Sequence, residues 1–245
     1  MNLIERYGKI GDIPVVLLYD EDIYRAGERG TILFYHGLYS DKEKHIKELK
    51  SLAKEGFLAV GIDAIEHGKR GEEDLREKLG GDNFNELFIN IVQETSLEVS
   101  EIIDDLIKEG FSKEDKIGIC GISMGGYIAY AAAVIEPRLK VVVPILASPE
   151  WEGVTESPNN FPERFYPKAL LVQNGGIDVS VPPINSRQFV EKLKPYYKDN
   201  MDRLKYIEYE KSGHFMIEED WYKLWSTVLK WFIMMTWFFE KGSLL

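Results

Sequence analysis

The sequence holds a single cysteine, Cys120, among 245 residues, so no internal disulfide can form. That excludes a disulfide-stapled extracellular module and fits a reducing compartment; a cytoplasmic location is expected. Positive charge is also scarce. Lys and Arg number 30 against 41 Asp and Glu, for a net charge of −11 and a pI near 5.0. Nucleic acid and anionic membrane surfaces are therefore not expected as partners. No apolar run reaches the roughly 18 residues of a membrane span. The opening MNLIERYGKI lacks the apolar core of a signal peptide. Internal repeats and low-complexity linkers are missing too. Neither G-x-x-x-x-G-K-[ST] nor G-x-G-x-x-G occurs, which removes the usual phosphate cradles. Histidines number only four. Asp63, Glu66 and His67 match no strong ligand spacing, so no metal and no organic cofactor is implied.

What is present is an alternation of apolar runs and amphipathic stretches. With 44% hydrophobic residues the chain can bury one sizeable core, and a single α/β domain is expected. Largely apolar runs at 31–35, 57–62, 116–122, 140–146 and 168–173 read as strands buried on both faces, and 204–209 reads as a further strand. Residues 3–19 read as two further short strands, with Pro14 suited to an edge. Helical spacing appears at 42–55, 84–107, 124–135 and 183–193, and again in a long apolar tail over 216–239. Residues 20–30 and 64–82 are polar and turn-rich. The pattern predicts a mostly parallel sheet of about eight strands with helices on both faces. Ligands of such sheets bind beyond the carboxyl ends of the strands.

Reactive residues fall at those ends. Gly121-Ile122-Ser123-Met124-Gly125 is G-x-S-x-G between a strand and a helix. A sharp turn there projects one hydroxyl and requires small neighbours. Asp178 follows the strand at 168–173, and His214 follows the strand at 204–209. His214 would take the Ser123 proton as base and return it to the leaving group, while Asp178 fixes the imidazole tautomer. Asp199 and Asp202 are rival acids outside any strand-end glycine turn. Backbone N–H donors for an oxyanion are expected from Met124 and from Leu38, in the loop after the strand at 31–35; losing one such donor typically costs about 3 kcal/mol in the transition state.

The segments FYHG, GIDAIEHGKRG, GISMGG, GGIDVSVP and SGHF appear in order along nearly the whole chain. In them the chain resembles the α/β-hydrolase superfamily, and is most similar to small bacterial serine esterases of the dienelactone-hydrolase and prolyl-oligopeptidase-like branch. The resemblance implies an α/β-hydrolase fold over residues 1–245, with 148–167 a short lid-like insertion. It carries the nucleophile onto Ser123, the acid onto Asp178, the base onto His214 and the oxyanion donors onto Leu38 and Met124. Dienelactone hydrolases themselves use a cysteine nucleophile where this chain has Ser123, so that activity is not implied. A carboxylesterase acting on small to medium acyl esters is expected. Thioester or small-peptide hydrolysis with the same triad is the alternative, and a non-catalytic binding protein on this fold is a second. Trp151, Phe84, Phe88, Phe161 and Phe165 are candidate pocket walls. His36 is expected to shape the oxyanion loop, His67 to order a loop or touch substrate, and His45 to be solvated on a helix surface. The aromatic surplus of 233–245 suggests a homodimer contact.

Overall fold

A computed structural model describes residues 2–71 and 75–241, with side chains defined up to Met235. Its centre is one sheet of eight strands: β1 Leu3–Ile10, β2 Ile13–Asp20, β3 Thr31–Tyr35, β4 Leu58–Ile62, β5 Ile117–Ile122, β6 Leu139–Ile145, β7 Ala169–Gly175 and β8 Leu204–Tyr209. The order is β1-β2-β4-β3-β5-β6-β7-β8. The β1–β2 and β2–β4 pairs are antiparallel, and the others are parallel. This is the mostly parallel sheet expected from the strand–helix alternation, in the α/β-hydrolase fold that the resemblance implied.

In the central strands, successive side chains alternate between two cores. Leu33 and Tyr35 of β3 face the first, while Ile32 and Phe34 face the second. Over the first core lie α1 Ile23–Arg29, α3 Leu75–Lys78, α4 Phe84–Lys108, α5 Met124–Ile135 and α6 Ile184–Leu193. Over the second lie α2 Ile46–Lys54 and α7 Glu218–Lys241. Two covered faces explain why the central strands read as largely apolar runs rather than alternating ones.

Three local expectations are corrected. Residues 20–30 are not merely a turn: Asp22 accepts from the Tyr24 and Arg25 amides at 2.8 and 3.2 Å and so caps α1. Pro14 is not on an edge, because β2 has partners on both sides. It is tolerated because the ladder to β4 begins one residue later, at Val15. Third, the helix expected from residue 42 opens as a 3-10 turn, Lys42–His45, before α2.

In α7, Leu224, Val228, Trp231 and Phe232 are buried in the second core, and so is Met235, which falls within the span 233–245 suggested as a dimer contact. Residues 242–245 and the side chains of 236–241, which carry most of the suggested dimer contact, lie outside the described residues. Among the described residues, no helix is long and apolar enough to cross a membrane.

Candidate active site

Ser123 stands at the turn from β5 into α5 with φ of 54°, an uncommon conformation for a side-chain-bearing residue. The surroundings hold it there. Its N–H donates to the Ile145 carbonyl at 2.8 Å, and its own carbonyl accepts from the Gly126 and Tyr127 amides at 2.7 and 3.1 Å. The turn folds the chain tightly. A Cβ on Gly121 would lie 2.1 Å from the Gly125 carbonyl oxygen, and one on Gly125 would lie 2.1 Å from that of Tyr35. Glycine on both sides of Ser123 is thus a packing requirement.

Asp178 and His214 sit in adjoining loops after β7 and β8. The Ile177 N–H donates to the Ser212 carbonyl at 3.1 Å and joins the two loops. His214 Nδ1 is 2.7 Å from Asp178 Oδ2, and Ser123 Oγ is 2.9 Å from His214 Nε2. Because an ionised carboxylate only accepts, the proton belongs on Nδ1, and Nε2 can accept from the Ser123 hydroxyl. The second oxygen of Asp178 accepts from the Ser180 and Val181 amides, each at 2.9 Å. Asp178 is buried, whereas His214 is partly open to solvent. Asp199 and Asp202 precede β8 and so lie at the opposite end of the sheet.

The loop after β3 abuts the turn: a Cβ on Gly37 would be 3.6 Å from Ser123 Cβ. Leu38 lines the same cleft as Ser123, and Met124 is buried as the first residue of α5. Among the described residues, neither the Leu38 nor the Met124 amide meets a protein acceptor.

The cleft has a volume of about 1170 Å³ and contains Ser123 and His214. Phe84, Phe88 and Trp151, three of the candidate pocket walls, line it. Phe84 stacks on Phe88, which meets Tyr127 edge-on, and Tyr127 stacks on Trp151, with centroids 5.1 to 6.3 Å apart. Tyr127 was missed, although it lies four residues after Ser123 and hence on the same side of α5. His45 was misread: it lines the cleft and packs on Phe34. Four carboxylates, Glu86, Glu150, Glu152 and Glu156, also line the cleft, and no lysine or arginine does among the described residues.

Phe165, Phe161, His36 and His67 do not line the cleft. Phe165 is fully buried between Tyr130 and Phe189, with centroids 6.3 and 5.0 Å away. Phe161 lies against Arg164 instead. His36 is fully buried at the end of β3. Its Nδ1 is 2.8 Å from the Gly37 carbonyl, and its Nε2 accepts from the Ala64 N–H at 3.2 Å. Burial pushes its pKa down to about 4, against the pull of the Gly37 carbonyl. His67 packs 5.3 Å from His36 and bonds the Ile65 carbonyl through Nδ1, and burial lowers its pKa as well. Both histidines therefore serve the frame.

Lys42 escaped notice in the sequence. It is fully buried, and its Nζ bonds Asp63 at 2.5 Å. The Lys42 and Lys69 amides donate to the same carboxylate at 3.1 and 2.9 Å. Burial works to raise the Asp63 pKa, and these bonds outweigh it and hold the group below its usual range. The pair ties the loop after β3 to the loop after β4.

Residues 26–171, more than half of the chain, match the sequence model of the family described as "Serine aminopeptidase, S33". The matched span includes Leu38 and Ser123 and ends before Asp178 and His214. The chain is 28% identical over 236 residues to a Bacillus subtilis protein named "Putative esterase YitV", covering 84% of this chain and 90% of that one. It is 25% identical over 154 residues to "Esterase YjfP" of Escherichia coli, covering 61% of this chain and 57% of that one. Among solved structures, TT1662 from Thermus thermophilus superposes with a TM-score of 0.79 at 18% identity, covering 96% of this chain and 99% of that one.

Proposed function

The chain belongs to the serine aminopeptidase S33 family of hydrolases, and within it we propose a carboxylesterase that cleaves small to medium acyl esters through an acyl-enzyme on Ser123. The observation that carries this reading is the contact chain from Ser123 Oγ to His214 Nε2 at 2.9 Å and from His214 Nδ1 to Asp178 Oδ2 at 2.7 Å. Ser123 attacks the acyl carbon while His214 takes the hydroxyl proton, and Asp178 stabilises the resulting imidazolium. The Leu38 and Met124 amides, which meet no protein acceptor among the described residues, receive the oxyanion. His214 passes its proton to the departing alcohol, and a water activated by His214 then releases the acid.

Ester is favoured over the thioesters of nucleotide-bearing carriers by the cleft's charge. Four glutamates and no lysine or arginine line it among the described residues, so a polyanionic carrier would be repelled. The names of YitV and YjfP point the same way. We read residues 1–245 as one domain and 148–167 as a short cover, of which residues 150–156 line the cleft. A cytoplasmic enzyme suits the single buried thiol.

The test is turnover of a reporter ester such as 4-nitrophenyl butyrate by the wild type and Ser123→Ala. A loss on the order of 10⁴-fold or more is expected when a nucleophile of this kind is removed. Equal rates would remove the reading.

A further inference from the structure

The cleft crosses the carboxyl edge of the sheet, so its two ends rest on different cores. At one end Phe88, Ile89, Tyr127 and Val154 pack against the first core. At the other, Met216 and Trp221 pack against the second core, joined by His45, whose ring packs on Phe34 of that core, and by Phe215, the neighbour of Met216. The two arms differ in chemistry. The first holds the aromatic run and the four glutamates. Among the described residues, the second is lined by neither carboxylate nor lysine nor arginine. It offers an imidazole and an indole face.

These groups are held in place. The His45 ring packs on Phe34 at 5.2 Å, and its Nδ1 stands 3.8 Å from a Glu48 carboxylate oxygen. Burial works to raise the Glu48 pKa, and its contacts with His45 and Trp221 outweigh that and keep it anionic. An anion on the Nδ1 side favours the tautomer with its proton there, which leaves the Nε2 lone pair as an acceptor. No protein group reaches Nε2 among the described residues. Trp221 stacks on Trp225 with 17° between the planes, and Trp225 is anchored by its N–H to Ser51 Oγ at 2.6 Å. Glu48 contacts both the His45 ring and Trp221, so a flat indole stands beside this acceptor. A sugar-like ring suits the pair: one of its hydroxyls donates to the imidazole while its C–H face lies on the indole.

We infer that this arm is the alcohol subsite and takes an uncharged, polyhydroxylated alcohol about the size of one sugar ring, with His45 as the specificity-determining contact. The inference rests on the esterase reading for its direction. The departing oxygen must lie beside His214 to receive its proton, and the arm is built by Phe215 and Met216, the next residues along the chain. In the step itself the Ser123 Oγ–acyl carbon bond forms and the acyl carbon–sugar oxygen bond breaks. The proton moves from Ser123 through His214 to that oxygen.

Non-hydrolysable ethers test the subsite without any turnover. Binding of methyl 6-O-butyl-glucopyranoside and of butyl cyclohexylmethyl ether is measured by calorimetry on the wild type, His45→Leu and His45→Gln. His45→Leu should weaken the glucoside ether about tenfold, the upper range for one neutral hydrogen bond, and move the carbocyclic ether by less than about twofold. His45→Gln, which restores an acceptor, should keep most of the glucoside affinity. The inference is overturned if the wild type does not bind the glucoside ether, if His45→Leu binds it as tightly as the wild type, or if both ethers weaken equally. Undiminished ester turnover by Ser123→Ala would strike the catalytic reading alone and leave this comparison standing.

Discussion

Asp178 makes two kinds of contact, and they can be separated by one atom change. Oδ1 is held by two backbone amides at 2.9 Å, and Oδ2 faces His214 Nδ1 at 2.7 Å. In Asp178→Asn the amide oxygen can keep the two backbone donors, so the loop survives. The new NH₂ group then faces Nδ1, and a donor there drives the imidazole to the tautomer whose Nε2 carries the proton. That nitrogen can no longer accept from Ser123. Turnover of a reporter ester should fall on the order of 10³- to 10⁴-fold, as expected when a triad acid is neutralised with its geometry kept. The melting temperature should move little. Turnover near the wild-type rate would reassign the acid. Nothing in the residue type alone distinguished Asp178 from Asp199 or Asp202; its position after a strand did, because the sheet presents only its carboxyl ends to the cleft.

Elements carry the next level of specification. Strands β3 to β7 were legible because both faces are buried, which leaves largely apolar runs, and the turn at Ser123 was legible because close packing permits only glycine at 121 and 125. Other features depend on contacts far apart in sequence and left no local mark. Phe165 is aromatic in a proline-rich stretch, and only its meeting with Tyr130 and Phe189 makes it core. His45 was placed on a solvated helix surface because an α-helix was expected from residue 42. The 3-10 turn there winds more tightly per residue and alters which way His45 points. Helix α7 shows the same limit. Apolar surplus is expected from residue 233 on, yet Met235 is fully buried in the second core, three residues after Phe232, whose ring meets that of Phe57 at 6.3 Å. The ring fills a space kept open by β5: a Cβ on Gly118 would come within 2.7 Å of it. Phe232→Ala should therefore destabilise the protein by about 3–5 kcal/mol, measured by urea unfolding. A change below about 1 kcal/mol would show that α7 does not depend on this contact. For the same reason, truncation after Lys230 removes Trp231, Phe232 and Met235 from the core, and should unfold the chain rather than report on its oligomeric state.

At the scale of the whole molecule, the frame behind the cleft makes stability depend on pH. The folded protein holds His36 neutral down to about pH 4, because burial opposes its charge, whereas an unfolded histidine takes a proton near pH 6.5. Between those values the unfolded chain binds the extra proton, so stability falls as pH falls. The contribution is fully present above about pH 6.5 and is lost progressively towards pH 4, amounting to about 3 kcal/mol over that window. Two neighbours bear on the same acid limb. His67 has its pKa lowered by burial and adds to the slope in the same sense. Asp63, held below its usual range despite burial by Lys42 and two backbone amides, contributes stability above its unfolded value that is lost only at lower pH. The acid limb should accordingly begin with the histidines and steepen when Asp63 titrates and the buried Lys42 loses its counter-charge. Urea midpoints measured from pH 7.5 to 4.5 should drop across this range for the wild type. His36→Gln, which cannot take up a proton, should start from a lower midpoint at pH 7.5 and decline with a slope shallower by nearly one proton. A variant slope equal to that of the wild type would show that His36 does not drive the acid limb.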